Sequence, residues 1–244
     1  MKGKTAIVTG GGTGIGRAVS LQLAARGAAV AVVYSRSAAE ARDTVAEIEA
    51  QGGRALALGA DVSVRAEVER MTAEVAQSFG RIDYLVNNAG ITRQLPFADL
   101  DAIDDGVWDE LYGVNVKGAF YCSRAAAPWL RRQPGSAIVN VGSIAGETGY
   151  GSSLPYAVSK AAMHGLTRSL ARALAPAVRV NAIAPGAVGT RWWSGNEDKM
   201  RTLAGSVALN RVSNPEDIAA TVLMLLEAAS VTGQVLKADN GQTL

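Results

Sequence analysis

The sequence has few of the residues on which secreted, metal-binding or membrane proteins depend. Cys122 is the only cysteine and His164 the only histidine among the 244 residues. The chain therefore forms no internal disulfide bond and offers a metal ion no cluster of thiols or imidazoles. The N-terminal stretch MKGKTAIVTG is too polar for a signal peptide, and no apolar run approaches the length of a membrane span. We expect a cytoplasmic protein with no metal site and no membrane partner.

The chain also has almost no excess of positive over negative charge. The 24 Lys and Arg residues nearly balance 22 Asp and Glu residues, which leaves a net charge of +2. The basic residues are scattered along the chain, so nothing suggests a nucleic-acid partner. Hydrophobic residues make up 48% of the chain and charged residues 19%, as in compact proteins with a large core. We expect one domain over residues 1–244.

Short β-branched runs alternate along the chain with longer segments of helical periodicity. This alternation predicts a single-domain, Rossmann-like, doubly wound parallel sheet of about seven strands with helices on both faces. The predicted strands, which we expect to be buried on both faces, are TAIVTG, AAVAVVYS, RALALGADV, IDYLVNNAG, SAIVNVGS, VRVNAIAPG and GQVLKADNG. The predicted helices cover about 17–26, 38–50, 66–78, 109–132, 156–174 and 215–227.

A glycine-rich segment, TGGGTGIGRA, follows the first predicted strand and opens the first predicted helix. Gly10, Gly14 and Gly16 allow a tight turn, close approach of the backbone to a pyrophosphate, and close packing of helix on sheet. The helix N-terminus then attracts the phosphates. The alternative is a tight turn with no ligand, but the position between the first strand and the first helix favours a dinucleotide site.

The end of the second strand indicates which dinucleotide is bound. Sites for NAD place Asp or Glu there to hold the ribose 2′-hydroxyl, whereas an Arg suits the 2′-phosphate of NADP. The sequence VVYSRS has Ser35 and Arg36 at this point and no carboxylate before Glu40. We therefore expect NADP(H) in preference to NAD(H). Thr13 occupies the glycine-loop position where a second basic residue would help, so the preference depends mainly on Arg36.

A tyrosine and a lysine share one face of a helix in SSLPYAVSKAAMHG. Pro155 suits the first helical position, and Tyr156 and Lys160 then lie about 6 Å apart along the axis. A neighbouring ammonium favours the phenolate, so we expect Lys160 to lower the pKa of Tyr156 toward the working range. Ser143, just after the fifth strand, can donate a second hydrogen bond to a substrate oxygen. Taken alone, such a Tyr–Lys pair is usually a surface pair.

The accompanying motifs decide between these interpretations. The sequence resembles the short-chain dehydrogenase/reductase superfamily over essentially its whole length, and most of all its 3-oxoacyl reductase-like or carbonyl reductase-like members. TGGGTGIG matches the cofactor loop TGxxxGxG, NNAG the motif of the fourth strand, YAVSK the YxxxK motif and PGAVGT the PGxxxT segment. Asn115 and Ser143 stand where the family has its helix-four asparagine and its catalytic serine.

The resemblance implies a role for each matching residue. Tyr156 would be the general acid or base, and Lys160 would lower its pKa and bind the nicotinamide ribose. Ser143 would polarise the carbonyl, and Asn115 would hold a water that relays protons to Lys160. Alternatively, Asn115 only bonds a neighbouring backbone. The implied cofactor contacts are Gly10, Thr13, Gly14, Ile15, Gly16, Ser35, Arg36, Asp61, Val62, Asn88, Ala89, Gly90, Tyr156, Lys160, Pro185, Gly186, Val188 and Thr190.

The resemblance also bears on partners. The family usually forms homotetramers through the fourth and fifth predicted helices, which have apolar outer faces here, and we expect the same. Members that act on acyl carrier proteins have basic residues beside the active-site mouth. Arg172 matches one of these, whereas Pro128 stands where another would lie. The sequence therefore does not favour a carrier protein, although Arg124, Arg131 and Arg132 are close by. The ending KADNGQTL also departs from the usual VDGG type.

The expected function is NADP(H)-dependent interconversion of a ketone and a secondary alcohol. The substrate is a small molecule such as a 3-oxoacyl group, a small ketone or a polyol. Two alternatives stay open: a catalytically silent dinucleotide-binding sensor or scaffold, and an NAD-dependent alcohol or polyol dehydrogenase. A silent protein would be free to lose Ser143, Tyr156 or Lys160, and this chain has all three.

Four further residues attract notice without joining the predicted site. Trp192 and Trp193 lie in a long connection after the sixth strand, where they either wall an apolar pocket or anchor the loop. We expect His164 to serve packing or a subunit interface. Cys122 is expected to be a small buried side chain rather than a nucleophile.

Overall fold

The computed structural model describes residues 1–193, 195 and 197–244. Seven strands form one parallel sheet in the order β3-β2-β1-β4-β5-β6-β7. This is the Rossmann-like doubly wound sheet that the alternating pattern predicts. The strands are β1 (Thr5–Thr9), β2 (Ala29–Tyr34), β3 (Arg54–Gly59), β4 (Tyr84–Asn87), β5 (Ala137–Val141), β6 (Arg179–Pro185) and β7 (Val235–Ala238).

Strand order reverses beside β1, which pairs with β2 on one side and with β4 on the other. A crevice opens where such a reversal occurs, at the carboxyl ends of the strands. The central strands are buried on both faces, as predicted, and β1 and β5 are buried throughout. The prediction is wrong for β3 and β7, whose residues are mostly part-exposed. These two strands lie at the edges of the sheet, where helices cover them less completely.

Nine α-helices are present in the described part of the chain, and the helix predicted over 109–132 needs the largest correction. The helix predicted over 109–132 begins at Asp105, because the Asp104 side chain accepts a hydrogen bond from the Val107 amide. It is interrupted by a π-helical segment over Gly113–Gly118. The α-helices are α1 (Gly14–Ala25), α2 (Ala38–Ala50), α3 (Arg65–Phe79), α4 (Asp105–Tyr112), α5 (Ala119–Leu130), α6 (Ala145–Thr148), α7 (Leu154–Leu174), α8 (Glu197–Ala204) and α9 (Pro215–Glu227).

Helix α7 starts at Leu154, two residues before the predicted range 156–174 and one residue before Pro155, the predicted first position. Ser153 is its N-cap and accepts a hydrogen bond from the Tyr156 amide, so Pro155 occupies the second helical position rather than the first. The helix begins earlier because the capping serine fixes the start, and a proline is tolerated throughout the first turn. The cap places Tyr156 at the third helical position, at the end that faces the crevice.

Two hydrophobic layers hold the helices to the sheet. Residues of α1, α2 and α9 cover one face, and residues of α3, α5 and α7 cover the other. Helices α6 and α8 occupy connections in which the sequence pattern predicts no helix. Within the described ranges, no helix is both long and apolar enough to cross a bilayer.

Candidate active site

A cleft of about 1060 Å³ lies at the carboxyl ends of the strands. Nearly all the residues that the sequence assigns to the site line this cleft. Gly16 and Asn115 are the exceptions, because they lie one layer behind its wall. The predicted residues that line the cleft are Gly10, Thr13, Gly14, Ile15, Ser35, Arg36, Asp61, Val62, Asn88, Ala89, Gly90, Ser143, Tyr156, Lys160, Pro185, Gly186, Val188 and Thr190.

The glycine loop has the backbone that its sequence predicts. Gly10 has φ of +63° and Gly14 has φ of +49°, and residues other than glycine rarely adopt such positive φ values. A Cβ on Gly16 would overlap the Gly10 carbonyl oxygen and lie 2.5 Å from Asn88 Nδ2. Thr13 is the N-cap of α1, but its side chain forms no capping hydrogen bond. The first-turn amides of α1 therefore keep their capacity to bind a phosphate, and the loop fits a dinucleotide.

The NNAG segment holds this loop in place. Asn88 Nδ2 donates hydrogen bonds to the Thr9 carbonyl at 2.9 Å and to the Gly10 carbonyl at 3.1 Å. In return, Thr9 Oγ1 accepts from the Asn88 and Ala89 amides, each at 3.0 Å. The Asn88 side chain thus braces β1 against β4, while Ala89 and Gly90 continue the cleft wall. Sequence reasoning missed Thr9, which looks like an ordinary strand residue.

Ser35 and Arg36 follow β2 at the end of the cleft where the sequence predicts the adenosine of the cofactor, and both side chains are exposed. Asp61 and Val62 lie nearby, after β3. The Asp61 carboxylate accepts hydrogen bonds from the Ser63 amide at 2.9 Å and from the Ser63 hydroxyl at 2.7 Å. These bonds fix the turn that carries Val62. The exposed Arg36 guanidinium and Ser35 hydroxyl are available to bind a ribose phosphate at this end of the cleft.

Tyr156 and Lys160 are buried together at the other end of the cleft. Tyr156 is 8% exposed and Lys160 is 4% exposed. Lys160 Nζ lies 5.7 Å from the centroid of the Tyr156 ring and donates a 2.9 Å hydrogen bond to the Val141 carbonyl. Ser143 lines the cleft with them, and its side chain lowers the pKa of the Tyr156 phenol. The structure thus brings the three predicted side chains into one contiguous group.

The pKa values differ from the sequence expectation. Burial raises the pKa of Tyr156 to about 12, and the hydrogen bond from Ser143 opposes this rise only in part. Burial also lowers the pKa of Lys160 to about 8. The expected lowering of the Tyr156 pKa was therefore wrong for the polypeptide by itself. Removal of the phenol from water outweighs an ammonium that is engaged with a backbone carbonyl.

Asn115 is fully buried on the π-helical segment. Its Oδ1 accepts from the Ile91 amide at 2.9 Å, and its Nδ2 donates to the Ile91 carbonyl and to Ser159 Oγ, each at 3.0 Å. Ser159 Oγ donates in turn to the Tyr156 carbonyl at 2.7 Å. Asn115 therefore forms hydrogen bonds with the backbone of Ile91, as the alternative interpretation of this residue predicts. Sequence reasoning missed Ser159, whose place before Lys160 in YAVSK was the available signal.

Aromatic side chains form the outer rim of the catalytic end. Trp192 meets the Tyr156 ring edge-on, with 6.1 Å between centroids. Tyr150 lines the cleft and stacks on Phe97 at 4.8 Å. Trp192 lines the cleft, as the first of the two interpretations of the tryptophan pair predicts. The side chain of Trp193 lies outside those that the structure describes.

The unusual C-terminal sequence returns to the cleft. After β7, Asp239 accepts hydrogen bonds from the Gly241 and Thr243 amides. The turn places Gln242 in the cleft wall, where its Oε1 accepts from the Ala187 amide at 3.1 Å. Sequence reasoning noted the departure of KADNGQTL from the usual ending but did not place Gln242 at the site.

The only histidine lies outside the cleft. His164 is buried against Gly142, where a Cβ would lie 2.5 Å from its Nε2. Burial lowers the pKa of His164. Cys122 is buried in the core beneath α5, and burial raises the pKa of its thiol to about 12. Over residues 1–193, 195 and 197–244, no three His, Cys, Asp or Glu side chains group as metal ligands would.

Comparison with protein families gives the assignment. The family described as short chain dehydrogenase matches residues 4–201. This range contains the glycine loop, Tyr156, Lys160 and the segment that begins at Pro185. The chain belongs to the short-chain dehydrogenase/reductase family.

Individual family members resemble the chain over almost its full length. A Streptomyces violaceoruber protein, named as a candidate ketoacyl reductase of the granaticin polyketide synthase, is 44% identical over 243 residues, 98% of this chain and 96% of that protein. The 3-oxoacyl-[acyl-carrier-protein] reductase FabG of Staphylococcus aureus is 39% identical over 242 residues, 98% of this chain and 97% of that protein. A solved short-chain dehydrogenase from Burkholderia cenocepacia, in complex with NADP, has a TM-score of 0.92 and 37% identity, and the match covers 100% of this chain and 99% of that one. The protein is an oxidoreductase of this family, and the predicted resemblance is confirmed.

Proposed function

We propose that this oxidoreductase interconverts a ketone and a secondary alcohol with NADP(H), and that Tyr156 is its general acid and base. One observation carries the proposal. The Tyr156 phenol lies in the same cleft as the glycine loop, together with Ser143 and within one helical turn of Lys160. Bound at this cleft, the nicotinamide cofactor supplies the hydride.

Each polar group at the catalytic end has a separate task. The Ser143 hydroxyl donates its one proton to the substrate oxygen, and so holds that oxygen beside the phenol for proton transfer. Tyr156 gives its proton to the oxygen as charge develops there, and its high pKa keeps it protonated at neutral pH. Lys160, with a pKa of about 8, replaces that proton. Asn115 and Ser159 are hydrogen-bonded to the first turns of α7, and so they fix the position of the Tyr156 side chain in the cleft.

The cofactor preference is supported at the adenosine end. Ser35 and Arg36 line the cleft directly after β2, where a carboxylate would be needed to hold the 2′-hydroxyl of NAD. The Burkholderia relative, which has 37% identity, is a complex with NADP. We therefore assign NADP(H) in preference to NAD(H), with the glycine loop on the pyrophosphate and residues 185–190 beside the nicotinamide.

The substrate is a small carbonyl compound or its alcohol with an apolar or aromatic part. Trp192, Tyr150, Ile144 and Leu203 supply apolar surface beside Tyr156, and Gln94 adds an amide. The relatives named as ketoacyl reductases favour a 3-oxo group as the reacting carbonyl. A carrier protein is not assigned, because Arg124, one of the basic residues considered for this role, is already paired with Glu69 at 2.7 Å.

We also propose a homotetramer formed through α5 and α7. Phe120 on α5 and Val158 on α7 are large hydrophobic side chains that stay exposed in a single chain. A second copy packed on these two helices would bury both side chains. A light-scattering mass of one chain would contradict this assembly.

The test of function is the loss of absorbance at 340 nm in a panel of β-keto esters, aryl ketones, diketones and sugars. NADPH and NADH run in parallel, with Tyr156→Phe as the matched control. We expect turnover with NADPH that disappears in the variant. Turnover that persists in Tyr156→Phe would remove Tyr156 from its role, and a preference for NADH would overturn the cofactor assignment. No turnover across the panel, with tight cofactor binding, would favour a sensor.

A further inference from the structure

Arg191 crosses the cleft from the catalytic end to the adenosine end. It is the first residue of a short 3₁₀ helix, Arg191–Trp193, which follows directly after the Pro185–Thr190 segment. Its Nη2 lies 3.2 Å from Ser37 Oγ, and its Nη1 lies 3.5 Å from Glu40 Oε1. Ser37 and Glu40 belong to the beginning of α2, which is more than 150 residues away in the sequence.

The location of this contact distinguishes it from an ordinary surface ion pair. Ser35, Arg36, Ser37 and Arg191 all line the cleft, and Arg191 contacts Ser37, the residue next to Arg36. Two cations and two hydroxyls suit a phosphate monoester, which accepts several charge-assisted hydrogen bonds. The glycine loop has Thr13 where a second basic residue would help, and Arg191 brings that missing charge from another part of the chain.

Glu40 explains why a second cation is needed. Its carboxylate lies at the start of α2, beside the arginine and serine side chains that would hold a 2′-phosphate. A carboxylate and a phosphate are both negatively charged, so they repel each other when they lie close together. The Arg191 guanidinium bonds this carboxylate and neutralises it. Because the Arg191 side chain remains 57% exposed, it keeps donors for a further oxygen acceptor.

We propose that Arg191 is a specificity-determining residue that binds the 2′-phosphate of NADP(H) together with Arg36. This inference rests on the NADP(H) preference proposed above. The next residue, Trp192, contacts the Tyr156 ring. A phosphate held by Arg191 therefore also fixes the turn that carries Trp192, and the adenosine end of the cofactor helps to shape the substrate pocket.

The test measures binding to the intact protein by isothermal titration calorimetry, with 2′,5′-ADP and 5′-ADP as probes. The variants are Arg191→Gln, Arg36→Gln and Glu40→Gln. Arg211→Gln is the matched control, because Arg211 is also an exposed arginine paired with a carboxylate, Asp217, but lies outside the cleft. We expect Arg191→Gln and Arg36→Gln each to weaken 2′,5′-ADP binding about tenfold and to change 5′-ADP binding less than twofold. Glu40→Gln should tighten 2′,5′-ADP binding, and Arg211→Gln should change neither.

The outcomes separate this inference from the proposed function. If the unaltered protein binds 5′-ADP as tightly as 2′,5′-ADP, the NADP(H) preference itself is wrong, and the inference falls with it. If the preference exists and Arg36→Gln removes it while Arg191→Gln has no effect or tightens binding, the preference stands and the role of Arg191 is overturned. In that case Arg191 serves only as the partner of Glu40.

A second readout follows the link to Trp192. With NADPH, Arg191→Gln should raise the KM for a ketone severalfold while kcat changes little, whereas with NADH the same substitution should leave KM unchanged. An equal rise in KM with both cofactors would show that Arg191 acts on the loop without the phosphate, and would overturn the proposed coupling.

Discussion

The proposed reaction centre and the rim of the cleft are built in opposite ways. Tyr156 and Lys160 are 8% and 4% exposed, and Asn115 is fully buried. Trp192 is 48% exposed and Tyr150 is 72% exposed, although both line the same cleft. Lys160 and Asn115 are held by hydrogen bonds to the protein, whereas Tyr150 and Trp192 contact Phe97 and Tyr156 through ring faces and edges.

This difference separates chemistry from selectivity. Proton transfer needs atoms fixed to within a fraction of an ångström, which a buried hydrogen-bonded network provides. Selection among substrates needs a surface that changes without disturbing that network, which an exposed aromatic rim provides. Substitutions in the two regions should therefore affect different measurements.

The largest effect should come from the reaction centre. Tyr156→Phe removes the transferable proton and keeps the ring that packs against Trp192. We expect kcat to fall by about 10³-fold and NADPH affinity to stay within threefold of the unaltered protein. Steady-state kinetics and cofactor titration measure the two quantities. A fall of less than tenfold would show that the proton comes from another group.

The glycine loop provides the next test, because close packing and the Asn88 side chain hold its backbone in place. Ala at position 16 would overlap the Gly10 carbonyl oxygen, whereas at Gly165 an added Cβ meets no atom within 4 Å. We expect Gly16→Ala to lower the free energy of unfolding by about 3 kcal/mol and to abolish cofactor binding. Gly165→Ala, in the middle of α7, should lower it far less, because the fold of the single chain leaves room for the added methyl group. Urea unfolding of both variants measures this difference, and equal stabilities would contradict the packing described.

Burial of Lys160 should appear in the pH dependence of stability. Its folded pKa of about 8 lies below the ordinary 10.5, so between these values the unfolded chain holds more protons and the free energy of unfolding rises with pH. Below pH 8 both states are protonated, and the buried charge destabilises the fold. From pH 7.5 to 9.5 we expect a Lys160-dependent rise of about 2 kcal/mol that Lys160→Met lacks. The raised pKa of Tyr156 acts in the opposite sense only above pH 10, outside this window.

Urea unfolding at several pH values, with unaltered protein and Lys160→Met in parallel, measures that difference. At pH 7.5 the methionine variant should be the more stable of the two, although it is inactive. Parallel pH profiles for the two proteins would contradict the buried ammonium.

The smallest effect should come from the rim. Trp192→Ala removes a contact with the Tyr156 ring but no hydrogen bond to the phenol. We expect the KM for an aryl ketone to rise about 5- to 10-fold, because a partly exposed aromatic contact contributes about 1 kcal/mol. The value of kcat should change less than threefold. A kcat loss as large as that of Tyr156→Phe would erase the distinction between centre and rim.

The contrast between the proposed reaction centre and the rim also explains which features could be predicted from the sequence. Strand–helix alternation fixed the sheet, and the motifs TGGGTGIG, NNAG and YAVSK placed the cofactor loop and the Tyr156–Lys160 pair, because local spacing determines those arrangements. The π-helical segment at Gly113–Gly118 was missed, because its cause is tertiary: a Cβ on Gly118 would lie 2.7 Å from a Val62 methyl. The raised pKa of Tyr156 depends on burial from every side, which no local pattern reports.

Residues of the rim were the least predictable. Arg191 and Gln242 reach the cleft from connections whose paths depend on long-range contacts, with Ser37 in one case and Ala187 in the other. Neither residue belongs to a motif. Trp192 was noticed as one of a pair, but only the fold shows that its ring meets Tyr156.

The most direct test of the central claim is to follow the hydride and the proton together. NADPH deuterated at the transferring C4 position is incubated with a ketone that the enzyme reduces, and the alcohol is analysed by mass spectrometry and NMR. The account predicts one deuterium on the carbon that bears the new hydroxyl, with the hydroxyl proton exchangeable, and no labelled product from Tyr156→Phe. Labelled alcohol formed equally well by Tyr156→Phe, or product without deuterium at that carbon, would contradict it.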